Sequence, residues 1–154
     1  MSKPLEYLVI HCTATPEGRE VSSNEILHWH TDPVSKGGRG WQQVGYTDMI
    51  HLDGRVERLV KNNEDAQVDP WEVTNGVKGY NSVSRHVVYV GGCDKQMKAK
   101  DTRTSAQRAA LKAYVVDFHN RFPKVKIIGH CEVAAKACPS FDVKKWLKEI
   151  GINQ

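Results

Sequence analysis

The chain has 154 residues, enough for one ordinary domain that buries about two-thirds of the surface its unfolded form exposes. An apolar fraction of 40% and a charged fraction of 26% let such a chain pack a core, which excludes intrinsic disorder. The net charge of +4 is dispersed, with Arg55, Lys61, Lys78, Arg85, Lys98, Arg108 and Lys124 scattered among acidic residues, and this argues against a nucleic-acid partner.

No apolar run approaches the roughly 20 residues that a membrane span needs. At the N-terminus, Glu6 and His11 interrupt what would be the apolar centre of a signal peptide, so the sequence predicts synthesis in the cytoplasm. In that reducing compartment the four cysteines stay as thiols or bind metal.

In chain order, Leu5 to His11 reads as a strand, because Tyr7-Leu8-Val9-Ile10 is a continuous apolar run of β-forming types. Ser22 or Ser23 can cap a helix that carries Ile26, Leu27, Trp29 and His30 and stops at Asp32-Pro33. A glycine-rich loop from Gly37 to Gly40 leads into Trp41. Tyr46 to His51 and Arg55 to Val60 form a predicted antiparallel pair, joined at Asp53-Gly54, whose residues tolerate the positive φ of a tight turn.

Asn62 to Ser84 has no steady period and reads as a long functional loop. His86 to Val90 returns to strand composition. Thr104 with Gln107 offers a capping box for a helix that places Leu111, Tyr114, Val115 and Phe118 on one face. Lys124 to Gly129 is a further strand and delivers His130 at its end. Asp142 to Ile150 closes the chain with a short helix that buries Val143, Trp146, Leu147 and Ile150. These elements predict a single α/β domain over residues 1–154, with a central mixed β-sheet of about five strands flanked by three helices.

Two strands that each end in a histidine can bring His11 and His130 together, since ligands gather beyond the carboxyl ends of strands in open α/β sheets. Cys138 follows His130 by a loop long enough to turn back towards both. Two imidazoles and a thiolate suit zinc, and three protein ligands with no fourth is the pattern of a catalytic rather than a structural site. The residues alone also allow a plainer reading, in which both histidines bond to backbone and Cys138 fills space beside Pro139.

Five segments bear on that choice: Val9 to Thr15, Val44-Gly45-Tyr46, Lys78-Gly79-Tyr80-Asn81, Val90-Gly91-Gly92, and Glu132 to Asp142 with its Lys136-Ala137-Cys138-Pro139-Ser140 centre. Their order and spacing resemble the type 2 N-acetylmuramoyl-L-alanine amidases from Leu5 to the final helix. The resemblance implies Zn2+ held by His11, His130 and Cys138, an attacking water assisted by Tyr46, and transition-state charge stabilised by Lys136. It also implies peptidoglycan as substrate, cut between N-acetylmuramic acid and L-alanine, in an open groove formed by Thr13, the loop carrying Trp41, and the loop carrying Asn81. Trp41 could equally be a core aromatic, and Asn81 a turn former.

The enzyme so implied acts as a monomer and meets the wall after cell lysis or non-classical export. A peptidoglycan-binding module of the same fold would typically lack the cysteine or the tyrosine, and both are present. Two departures stand out: Thr47-Asp48 follows Gly45-Tyr46 where relatives commonly have a pair such as His-Phe, and Gly76 stands where many have histidine. Asp48 then either faces solvent or turns inward to a metal-site histidine. The other histidines, His28, His30, His51, His86 and His119, read as ordinary helix and strand residues. Cys12 and Cys131 each follow a ligand histidine and are expected to point away from the ion, and Cys93 to fill core.

Overall fold

The computed structural model covers residues 1–154. Eight elements carry the architecture: β1 (Tyr7–Cys12), α1 (Ser23–Thr31), β2 (Asp48–Ile50), β3 (Val56–Arg58), β4 (Ser84–Tyr89), α2 (Ser105–Arg121), β5 (Lys126–Gly129) and α3 (Val143–Glu149). The five strands form one mixed sheet in the order β3-β2-β4-β1-β5. β1 runs parallel to both β4 and β5, β2 runs parallel to β4, and only the β2–β3 hairpin is antiparallel. The expected α/β domain, with a five-stranded mixed sheet and three helices, is what the chain forms.

The period of two along β1 divides the domain into layers. Leu8, Ile10 and Cys12 face one side, where they join Ile50, Val87, Tyr89 and Ile127 against α2 and α3. Helix α2 supplies Leu111, Val115 and Phe118 to that core, and α3 supplies Val143, Trp146 and Leu147. On the other side Val21 and Ile26 of the α1 region pack on Met49, Val88 and Val90. His11 has the parity of Val9 and therefore emerges on the α1 side, away from the larger core.

The expected capping box at Thr104 forms, and Ser22, one of the two cap candidates for α1, makes a second one. The Ser22 hydroxyl accepts the Glu25 N–H at 3.2 Å while the Glu25 carboxylate accepts the Ser22 N–H, and Thr104 and Gln107 make the same reciprocal pair at the start of α2. Gln107 also reaches across the layers, donating its side-chain amide to the Val90 carbonyl at 2.9 Å.

The β2–β3 hairpin is shorter than its composition suggests. Leu59 and Val60 both donate to the Thr47 carbonyl, at 2.8 and 3.3 Å, so two residues oppose one and the ladder ends there in a bulge-like kink. That early ending releases Gly45 and Tyr46 from the sheet and lets them turn towards the ends of β1 and β5. The segment between β3 and β4 is irregular as expected. The buried Glu72 carboxylate organises it by accepting the N–H groups of Asn63 at 2.7 Å and Asp69 at 2.8 Å.

Asp48 corrects both expectations for it. Its side chain is buried on the α2 face, where it accepts hydrogen bonds from Arg58 Nε and from the Tyr114 hydroxyl, each at 2.6 Å. Strand alternation puts it on the same side as Ile50 and on the opposite side of the sheet from His11, so it cannot touch the histidines.

Candidate functional site

Adjacent parallel strands β1 and β5 bring His11 and His130 together, with ring centroids 4.7 Å apart. His11 is buried at the penultimate position of its strand, while His130 begins a short 3-10 turn, His130–Glu132, just beyond β5. The Glu132 carboxylate holds that turn by accepting the Gly129 N–H at 2.6 Å.

Cys138 arrives on a loop pinned at several points. The Cys131 N–H donates to the Cys138 carbonyl at 2.8 Å, the Tyr89 hydroxyl to the Pro139 carbonyl at 2.6 Å, and the Ser140 hydroxyl to the Gly92 carbonyl at 2.8 Å. The Cys138–Pro139 peptide is cis. So held, Cys138 Sγ lies 3.8 Å from His11 Nδ1 and accepts the Cys12 backbone N–H at 3.2 Å.

One donor atom from each of His11, His130 and Cys138 lies within 4.8 Å of the other two. Zinc bonds of about 2.0–2.1 Å to nitrogen and about 2.3 Å to sulfur place tetrahedral ligand atoms about 3.3–3.6 Å apart, so this donor set, with Cys138 Sγ and His11 Nδ1 at 3.8 Å, suits that ion after a small closure. Both histidines are held in the neutral form a ligand needs. Burial lowers the pKa of each, helped by Lys136 for both and by His86 for His11. The contact with Cys138 draws the Cys12 thiol down to about 7, while that same contact and burial push the Cys138 thiol up, so without a cation the two sulfurs share a single negative charge.

Above these atoms opens a cavity of about 510 Å3. Thr13, Trp41, Tyr46 and Lys136 all line it with the three donors. Thr13 serves mainly to shape its wall, because its hydroxyl accepts the Gly91 N–H at 2.8 Å. Trp41 is half-buried with its ring 4.9 Å from His30, and the Arg39 guanidinium lies over the ring at 5.1 Å. It is a wall of the cavity rather than a core aromatic.

Tyr46 lies between His11 and His30, tilted against the first and edge-on to the second, with centroids 5.2 Å from each. Burial raises its phenol well above the usual tyrosine range, so the hydroxyl keeps its proton. Lys136 is exposed at the rim.

Asn81 is not where the groove expectation put it. Its amide oxygen turns into the protein, accepting the Val77 N–H at 2.8 Å and facing His86 Nε2 at 3.0 Å, and it does not line the cavity. The reason is the short 3-10 turn Asn81–Val83, which tucks the side chain under the preceding loop.

Two histidines read as ordinary belong to the site. His30 Nδ1 accepts the Gly45 N–H at 2.9 Å and so fixes the turn that presents Tyr46; burial holds its pKa down to about 4, which keeps that nitrogen an acceptor. His86 is fully buried against His11, with His11 Nε2 and His86 Nδ1 2.8 Å apart. No local pattern marks either one, because their roles arise from strand order and from a loop folding over α1. Cys12 points into the α2 side of the sheet as expected, yet its backbone reaches the ligand sulfur.

Comparison with known proteins follows the same lines. Residues 1–141 match the family described as N-acetylmuramoyl-L-alanine amidase. The endolysin of Enterobacteria phage K11 is 38% identical over 139 residues, which is 90% of this chain and 83% of that protein. The endolysin of Escherichia phage T7 is 37% identical with the same coverage. Among solved structures, the Ph2119 endolysin from a Thermus scotoductus bacteriophage superposes with a TM-score of 0.72 at 26% identity, covering 98% of this chain and 87% of that one. Bumblebee PGRP-SA shares the fold with a TM-score of 0.67 at 24% identity, covering 94% and 81%.

Proposed function

The chain belongs to the N-acetylmuramoyl-L-alanine amidase family, and from that premise we propose that it is a zinc-dependent hydrolase of peptidoglycan. The bond cut joins the lactyl group of N-acetylmuramic acid to the L-alanine that begins the stem peptide. The observation that carries this reading is the meeting of His11, His130 and Cys138 donor atoms at the floor of an open cavity. A zinc ion on those atoms would supply Lewis-acid polarisation of the scissile carbonyl and of the attacking water.

The chain's own residues do the rest. Tyr46 keeps its phenol proton and orients the water or donates to the developing oxyanion. Lys136, at the rim of the same cavity, places a cation where negative charge grows as the carbonyl carbon becomes tetrahedral. Trp41 and Thr13 border the space through which the extended substrate lies. The presence of both Tyr46 and Cys138 favours cutting over mere holding. As a lysis or wall-remodelling enzyme it would work on the wall after release from the cell.

Two measurements test this. Purified protein should contain about one zinc per chain, as the three-ligand donor set requires, and mass spectrometry of digested peptidoglycan should show stem peptides with a new free L-alanine amino group. Intact stem peptides, or cuts within the glycan, would reject the assignment. Lys136→Ala should keep its zinc and lose about 100-fold in turnover, the scale of one oxyanion-stabilising group. Unchanged turnover would remove Lys136 from the reaction.

A further inference from the structure

His86 lies on β4, the strand next to β1, and its ring is wholly enclosed. It is outside the donor set, yet it touches one member of it. His11 Nε2 and His86 Nδ1 are 2.8 Å apart, and on the far side of the ring His86 Nε2 is 3.0 Å from Asn81 Oδ1. That oxygen also receives the Val77 N–H at 2.8 Å.

The last contact decides the direction of every other. A backbone N–H can only donate, so the group that Asn81 presents to it is its oxygen, which can only accept. His86 Nε2 must then carry the proton. In a neutral ring this leaves His86 Nδ1 as a lone pair, so His11 Nε2 must be the donor across the 2.8 Å gap. The lone pair of His11 is thereby left on Nδ1, the atom that faces Cys138 Sγ.

The ring of His86 has no freedom to undo this. The His86 backbone N–H donates to the Thr47 hydroxyl at 3.2 Å, and the Gly76 backbone lies so close to the ring that a Cβ there would stand 2.4 Å from His86 Nδ1. A metal-binding imidazole gains from exactly such a partner on its other nitrogen, usually a carboxylate or a carbonyl. The cavity wall around His11 offers no carboxylate, and a second histidine backed by an amide takes that place.

We infer that Asn81 and His86 are positioning residues that lock His11 into one tautomer and one ring plane, with its Nδ1 lone pair directed at the ligand site. The consequence for metal affinity rests on the zinc reading above, whereas the tautomer itself does not.

Long-range proton–nitrogen NMR on the metal-free protein reads the tautomers directly. Both His11 and His86 should carry the proton on Nε2, and a metal-free His11 protonated on Nδ1 would overturn the inference. Zinc affinity, by competition with a chromophoric chelator, should fall about 10- to 100-fold in Asn81→Leu and His86→Phe, the range for losing a ligand's outer partner. Asn81→Asp, which keeps an oxygen for both donors, should stay within a few-fold of wild type and retain the wild-type tautomers, a rescue that a purely structural role for Asn81 would not predict. Wild-type affinity in both Asn81→Leu and His86→Phe would refute the relay. Should the wild type take up no zinc, the metal reading fails, and the metal-free spectrum still decides whether the relay exists.

Discussion

Cys138→Ser is expected to lose both zinc and amidase activity, while Cys93→Ser and Cys12→Ala keep them. Serine is nearly the same size as cysteine, but its hydroxyl stays protonated at neutral pH and gives zinc no soft anionic donor. Because a ligand is removed outright, the fall in affinity should exceed the roughly 100-fold that follows loss of an outer partner. Turnover should drop with it, since two imidazoles alone leave the ion loosely held.

The two control cysteines make the result specific. Cys93 sits away from the cavity, in a two-residue pairing with Pro16. Cys12 supports Cys138 through its backbone N–H at 3.2 Å, and that donor survives substitution by alanine. Atomic absorption on the three purified variants decides the matter. If Cys12→Ala lost the metal while Cys138→Ser kept it, the ligand would be the wrong sulfur and the site would have to be redrawn.

How far the site could be read from the sequence depends on the range of the interaction that makes it. His11 and His130 were visible because each ends a strongly apolar run, and parallel strands deliver their terminal residues to one edge. The neighbouring pairing of β1 with β5 then brings them together. Cys138 was legible only through the long segment around it, since nothing in a loop between Glu132 and Cys138 dictates where its sulfur points. That direction is set by Tyr89, Ser140 and the Cys131 N–H, which are contacts between separate parts of the chain.

His86 lies in a run of β-formers and carries no local sign of function. It becomes a partner of His11 only because β4 is placed between β2 and β1. Asp48 fails for the opposite reason. Its place in sequence suggested solvent or a metal-site histidine, but the parity of β2 sends it through the sheet to Tyr114. Asn81, likewise, is aimed by a turn whose closing carbonyl belongs to Tyr80, and not by its own composition.

Gly76 supplies the sharpest mechanical test of the packing behind the ligands. An alanine there would set its Cβ 2.4 Å from His86 Nδ1, 2.5 Å from Cγ and 2.7 Å from Cε1. Relief cannot come from a flexible end, because the ring is tied to His11 on one side and Asn81 on the other. The backbone at 76 has no positive φ, so the penalty is steric and not conformational. Overpacking a rigid site of this kind costs about 2–3 kcal/mol, which for a domain of this length lowers the melting temperature by about 5–10 °C.

The origin of that loss can be isolated with a second substitution. His86→Ala removes the ring that the new methyl meets, so Gly76→Ala combined with His86→Ala should cost less than the two single changes added together. A coupling of about 1–3 kcal/mol is the scale for residues in direct contact, and urea unfolding of the four proteins measures it. Strict additivity would mean that the His86 ring does not occupy the space beside Gly76, and the packing that holds His11 from behind would then have a different source.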